Sequence, residues 1–274
     1  MMKELAKLQF RAAGLLLPVD WQQPSGETEA KQYLDAFKPE ELFSPPPPVP
    51  PGLFLASSVN KYHCDTAKDI SSRFQAFIDG ICDAICSAWG QWQSSASLLG
   101  VIINAVTAVG GQVLGPPLTP LIMSTAPKST PQELKYSIAV AQAIGLGWTA
   151  YTATIKVPGL PWYPAFAAVP SPVAPPMPNV PMPVIALTQV TVPVSKNVLK
   201  AQMIGFLGDP TALHHVELFD CIADAFEKCF QIWQLATLVT NVLGTGPVPS
   251  FAPPVAPVGP VVAGVGNMIP GGFV

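Results

Sequence analysis

From Asp220 to Val262 the chain runs through an apolar helical pattern closed by Ile232-Trp233-Gln234, then Gly244 and a series of prolines, and this pattern recurs. Moving back 85 positions takes Trp233 to Trp148, Thr237 to Thr152, Val242 to Val157 and Gly244 to Gly159 without a gap. The same shift sets Pro249-Ser-Phe251-Ala252 on Pro164-Ala-Phe166-Ala167 and Pro257-Val258 on Pro172-Val173. Moving back 141 positions sets Asp220, Asp224-Ala225 and Trp233-Gln234 on Asp79, Asp83-Ala84 and Trp92-Gln93. Self-similarity at a fixed offset is the mark of one supersecondary unit used repeatedly. The expected unit is a helix that ends near a Trp and continues as an extended Gly/Pro/Val tail. Trp92, Trp148 and Trp233 are then the repeat-defining core positions.

This repeat organises the rest of the chain. It predicts an N-terminal helical segment (1–44), a polyproline linker (45–52) and three helix-plus-tail units (53–128, 129–195 and 196–274). The expected fold class is mainly α with long Gly/Pro-rich extended segments and little regular β. Residues 1–17 read as an amphipathic helix stopped by Pro18, and 26–37 as a second helix with Ser25 as its cap. Apolar residues at 3 and 4 spacing predict a helix from Asp69 to Gln93. Thr130-Pro131-Gln132-Glu133 combines a cap, a proline at the first helical position and a Glu that reaches back, so a helix is expected from Pro131 to Thr154. Asp209-Pro210 predicts the start of a third, running to Leu243.

Three segments are harder to place. Leu98 to Val109 lies within the 44 uncharged residues between Asp83 and Lys128, and it reads as a buried helix or, less well, as a bilayer span interrupted by Gly100 and Asn104. Residues 159–183 carry proline at every second or third position, lack the N–H groups of a ladder, and are expected to lie extended along a surface. Val184 to Val192, rich in β-branched residues, is the one convincing strand.

Composition narrows the function classes. Charged residues make up 11% of the chain and apolar ones 49%, with 33 prolines and 21 glycines. Such a chain is too apolar for a solvated disordered protein and has little charge to keep a monomer in water. The net charge of −3 shows no basic stripe, which disfavours nucleic-acid binding. The N-terminus lacks the unbroken apolar core of a signal peptide, so cytoplasmic synthesis is expected.

No constellation carries chemistry. Asp79/Asp83 and Asp220/Asp224 are carboxylate pairs at i and i+4 that read as polar helix edges. Cys64, Cys82, Cys86, Cys221, Cys229, His63, His214 and His215 show no metal-ligand spacing, and free buried thiols are expected. There is no G-x-S-x-G and no phosphate-loop lysine. The expectation is a protein without catalytic, cofactor or metal sites: a structural subunit of a large symmetric assembly, most plausibly a virion component of the phage tail, baseplate, neck or capsid-associated kind. Its partners would be copies of itself and other subunits, with no nucleic acid and no small-molecule substrate. Candidate contact residues are Pro45, Pro46, Pro47 and Pro48 in the linker, and Phe166, Pro172, Phe251, Pro257 and Phe273 on tails (159–183 and 244–274) expected to act as intermolecular arms. The alternatives are a membrane-active, pore-forming oligomer in which 94–123 and 229–246 insert, and a proline-rich adaptor read by SH3- or WW-like domains.

Overall fold

The computed structural model describes residues 1–13, 58–212, 214–249 and 258–274, with 58–68 described by their backbone. The expected helix at 26–37, the linker 45–52 and the candidate contacts Pro45 to Pro48, Phe251 and Pro257 lie outside the described residues.

Among the described residues six α-helices alternate short and long. The short ones are α1 (Met2–Ala12), α3 (Leu118–Thr125) and α5 (Lys196–Leu207), and the long ones are α2 (Ser58–Ser95), α4 (Pro131–Thr154) and α6 (His215–Ala236). Each short helix packs between two long ones: α1 between α6 and α2, α3 between α2 and α4, α5 between α4 and α6. The arrangement therefore closes into a ring of three units, each a short helix, a long helix and the strands that follow. The first unit is joined to the last through α1.

The described residues also form eight strands: β1 (Ser97–Asn104), β2 (Thr107–Leu114), β3 (Val157–Pro161), β4 (Val173–Met177), β5 (Met182–Pro183), β6 (Leu238–Val239), β7 (Val242–Pro247) and β8 (Gly264–Met268). Six form one antiparallel sheet in the order β3-β2-β1-β8-β7-β4, and β5 pairs with β6. Each unit gives the large sheet two strands: β1 and β2, β3 and β4, β7 and β8. Strands from residue ranges that read as separate units thus share one sheet.

This corrects the expected fold class, because the chain is not a helix-dominated fold with little regular β. The largest revision is Leu98 to Val109, which is a hairpin and not a buried helix. Leu98, Val101 and Ile103 are buried while Leu99, Ile102 and Asn104 face out, so the segment obeys a period close to two. The glycines that looked like interruptions of a helix take left-handed conformations that bend and bulge the strands, with Gly100, Gly110 and Gly111 at φ of 69°, 76° and 85°.

The proline-rich tails also join the sheet. β3 carries Pro158 and Pro161, and β4 carries Pro175 and Pro176, yet both are edge strands, where a missing N–H on the open side costs no ladder bond. Val184 to Val192 is not a strand. A 3-10 turn at Val184–Ala186 instead turns Val184 and Leu187 into the core.

Among the helices, α4 has its expected bounds, with the reciprocal Thr130–Glu133 box formed at 3.1 Å in both directions. The helix expected from Pro210 to Leu243 is instead divided. Gly208, at φ 62°, ends α5 with a left-handed cap, and Asp209 accepts hydrogen bonds from the backbone and hydroxyl of Thr211 in a turn before α6 begins. After Ala236 the β-branched run takes up β6 and β7. No described helix is long and apolar enough to cross a membrane.

Ion pairs repeat the unit plan. On α1, Lys3 reaches Asp83 and Lys7 reaches Asp79 on α2, both at 3.1 Å. On α5, Lys196 reaches Asp224 at 3.5 Å and Asp220 at 2.8 Å, and Lys200 reaches Asp220 at 2.9 Å. In both cases two lysines one turn apart on a short helix meet two aspartates one turn apart on the next long helix, running antiparallel. The shift of 141 positions that relates Asp79/Asp83 to Asp220/Asp224 thus relates two docking contacts, so these pairs are more than polar edges.

Candidate functional site

The three repeat-defining tryptophans meet at one point. Trp92, Trp148 and Trp233 come from α2, α4 and α6, and their ring centroids lie 4.7 Å (92 to 148), 5.5 Å (148 to 233) and 6.2 Å (92 to 233) apart. Trp89 stacks on Phe226 and meets Trp148 edge-on, and Phe273 from the C-terminus lies 5.6 Å from Trp92. Offset and edge-on pairs of this kind add about 0.5–1.5 kcal/mol each beyond area burial.

Several polar groups around this hub are engaged, while the indole N–H groups of Trp89 and Trp148 find no partner among the described residues. The Trp233 indole N–H donates to Gln93 Oε1 at 3.1 Å, and Gln93 Nε2 donates to the Phe273 carbonyl at 3.0 Å. Tyr151 donates to Gln189 Oε1, and so does Gln234 Nε2 at 2.9 Å. Burial pushes the Tyr151 hydroxyl up to about 12 against the pull of its bond with Gln234, so it remains a proton donor at neutral pH. The hub thus joins the three long helices through aromatic contacts and side-chain hydrogen bonds.

Other clusters resolve in the same way. Cys82, Cys86, Cys221 and Cys229 are free thiols, and burial raises all four above the ordinary thiol value. None is an activated nucleophile. Among the described residues no three His, Cys, Asp or Glu side chains converge as metal ligands. A cleft of about 630 Å³ between α2, α4 and the α5–α6 turn is floored by Phe74, Phe77 and Tyr136. The charged groups on its rim are committed elsewhere: Arg73 to Asp69, Glu133 to the helix cap, Asp209 to Thr211.

The tail residues singled out in the sequence divide. Phe166 is fully buried and stacks on Tyr163 at 5.1 Å, with both rings against Gly244 of β7. Phe273 is buried at the hub. Pro172 is exposed, and its carbonyl accepts from the Val248 N–H at 2.9 Å. Within the described residues, then, these tails pack on their own chain.

What remains open is the outer face of the sheet, which sequence reasoning did not find. Register pairs place Pro158, Val109, Ile102, Val265 and Thr245 side by side across β3, β2, β1, β8 and β7. Ile102 is 49% and Val265 46% exposed, although both are large apolar side chains in the middle of a rigid sheet. No described strand carries a charged residue. The described charges sit on helices and their flanking turns, Lys156 at the α4–β3 junction being nearest the sheet. The molecule is therefore polarised, with a charged helical part and an uncharged sheet. The run 98–103 is apolar throughout, so the sequence carries no alternation to mark which side faces out.

Comparison with protein-family models, with curated proteins and with solved structures finds no match.

Proposed function

We propose that the chain is a non-enzymatic structural subunit of a large assembly, most plausibly a virion component that works by contact with copies of itself and other subunits. The observation that carries this reading is the uncharged outer sheet face with its exposed row of Val109, Ile102 and Val265. Contiguous apolar surface of this kind marks contact sites on soluble proteins. The ring of three units supports it as well. Such a ring buries a rigid hub and leaves a rigid face outward, which suits a part that must hold its shape among neighbours.

The pore-forming alternative drew on helical insertion of 94–123 and 229–246. Those stretches hold β1, β2 and α3, and the end of α6 with β6 and β7, and no described helix among them is long and apolar enough to cross a membrane.

Density-gradient fractionation of the native source, with the chain followed by mass spectrometry, tests the proposal. The expected result is co-sedimentation with a large particle at fixed stoichiometry. Recovery only at the position of a free monomer contradicts it.

A further inference from the structure

We propose that the outer face of the six-stranded sheet is a self-association surface, which a second copy of this chain covers face to face. The inference rests on the assembly reading above and names the surface and partner that reading requires.

Three features select this occupant. The first is that the sheet cannot be extended sideways. Its two edges are β3 and β4, and Pro158, Pro161, Pro175 and Pro176 remove N–H groups that an added strand would need. A partner must therefore approach the face.

The second is charge. Because no described strand carries an ionised side chain, the face offers nothing to a charged peptide, a nucleic acid or an acidic lipid headgroup. In a two-fold contact a patch meets itself, so a charge on or near the axis would face its own like. A charge-free face escapes that penalty, and its chemistry matches that of its copy by construction.

The third is extent. Six strands about 4.8 Å apart, each of 5 to 8 residues at about 3.3 Å per residue, give a footprint of roughly 500 Å². A standard interface takes about 800 Å² from each partner. One such contact is therefore weak and concentration-dependent, and gains strength when many copies are held in one particle.

The experiment is sedimentation equilibrium of the purified full chain from about 1 μM to about 0.5 mM, the range in which a weak pair is populated. The wild-type chain is expected to dimerise reversibly. Ile102→Lys is expected to move the midpoint at least about tenfold to higher concentration, because the contact must then desolvate two ammonium groups. Ile102→Val keeps the shape and is expected to stay within about twofold of wild type. Ile102 is half exposed, so helical circular dichroism should not change; if it does, Val265→Lys on the adjacent strand gives the same reading. Association by Ile102→Lys as tight as wild type overturns this surface and leaves the assembly reading standing. A wild-type chain that is monomeric throughout overturns both. Binding of the monomer to neutral phosphatidylcholine vesicles, lost in Ile102→Lys, makes lipid the occupant and also overturns the proposal.

Discussion

Trp92 and Trp148 stand ring edge to ring face, at 90° and 4.7 Å between centroids, although they belong to different long helices and to different copies of the sequence repeat. Trp233 from the third copy completes the contact. The repeat is thus a set of three elements that converge. Each needs the other two to bury its ring, and the unit is the short helix, the long helix and the strands that follow.

The hub should therefore carry a large share of the stability. Trp148 is 2% exposed and touches Trp89, Trp92, Tyr151, Phe230 and Trp233. Trp148→Ala is expected to lower unfolding free energy by about 3–5 kcal/mol. The Trp148 indole N–H has no partner, so Trp148→Phe, which keeps a ring and removes an unpaired donor, should lose less than half as much. Urea unfolding followed by circular dichroism compares the two.

Much of this was legible in the sequence, for physical reasons that also explain what was not. The Thr130–Glu133 box is local chemistry and gives α4 to the residue. The shifts of 85 and 141 positions found the three tryptophans because a residue at a shared hub is held by its partners in every copy. By contrast, Leu98 to Val109 is apolar and interrupted by Gly100, and a short run of that kind fits a buried helix as well as a bulged strand. Its partner strand β8 lies far along the chain, so nothing local decides between them. Proline excludes a segment from central strands, but β3 and β4 are edges, where the proline tails can pair on one side. The outer face was illegible because it exists only once β1, β2 and β8 are in register.

Paired lysines and aspartates on the short and long helices give a pH prediction. Burial draws the Asp220 carboxyl upward, but hydrogen bonds and charge from Lys196 and Lys200 outweigh it and hold its pKa below the ordinary value. A carboxylate depressed in the folded state stabilises above its unfolded pKa of about 3.9, and that contribution is lost as pH falls through the lower folded value. Asp220→Asn should therefore be less stable than wild type at pH 7, and the gap should close below about pH 4. A double-mutant cycle with Lys200→Met at pH 7 should give a coupling of about 0.5–1 kcal/mol, modest because the side chains are about a third exposed.

Glycines in the sheet and on the helix should respond in opposite directions. A Cβ on Gly246 of β7 would lie 2.5 Å from the Gly264 Cα of β8, against backbone that cannot swing aside. Gly246→Ala is expected to cost about 1–3 kcal/mol through that overlap. Gly90, within α2, has nothing within 4 Å of the same position, and Gly90→Ala should stabilise by about 0.5–1 kcal/mol. Thermal unfolding of the two variants beside wild type reads both signs.

The claim that this chain works through an uncharged face is tested most directly by the salt dependence of its self-association. Sedimentation velocity of the wild-type chain at about 0.3 mM, in salt from about 0.05 M to 1 M, spans Debye lengths from well over 10 Å to about 3 Å. The account predicts a dimer fraction that holds or rises with salt, since apolar contact is not screened. A dimer that dissolves in 1 M salt would place the contact on the charged helices, and a monomer in every condition would remove the self-association altogether.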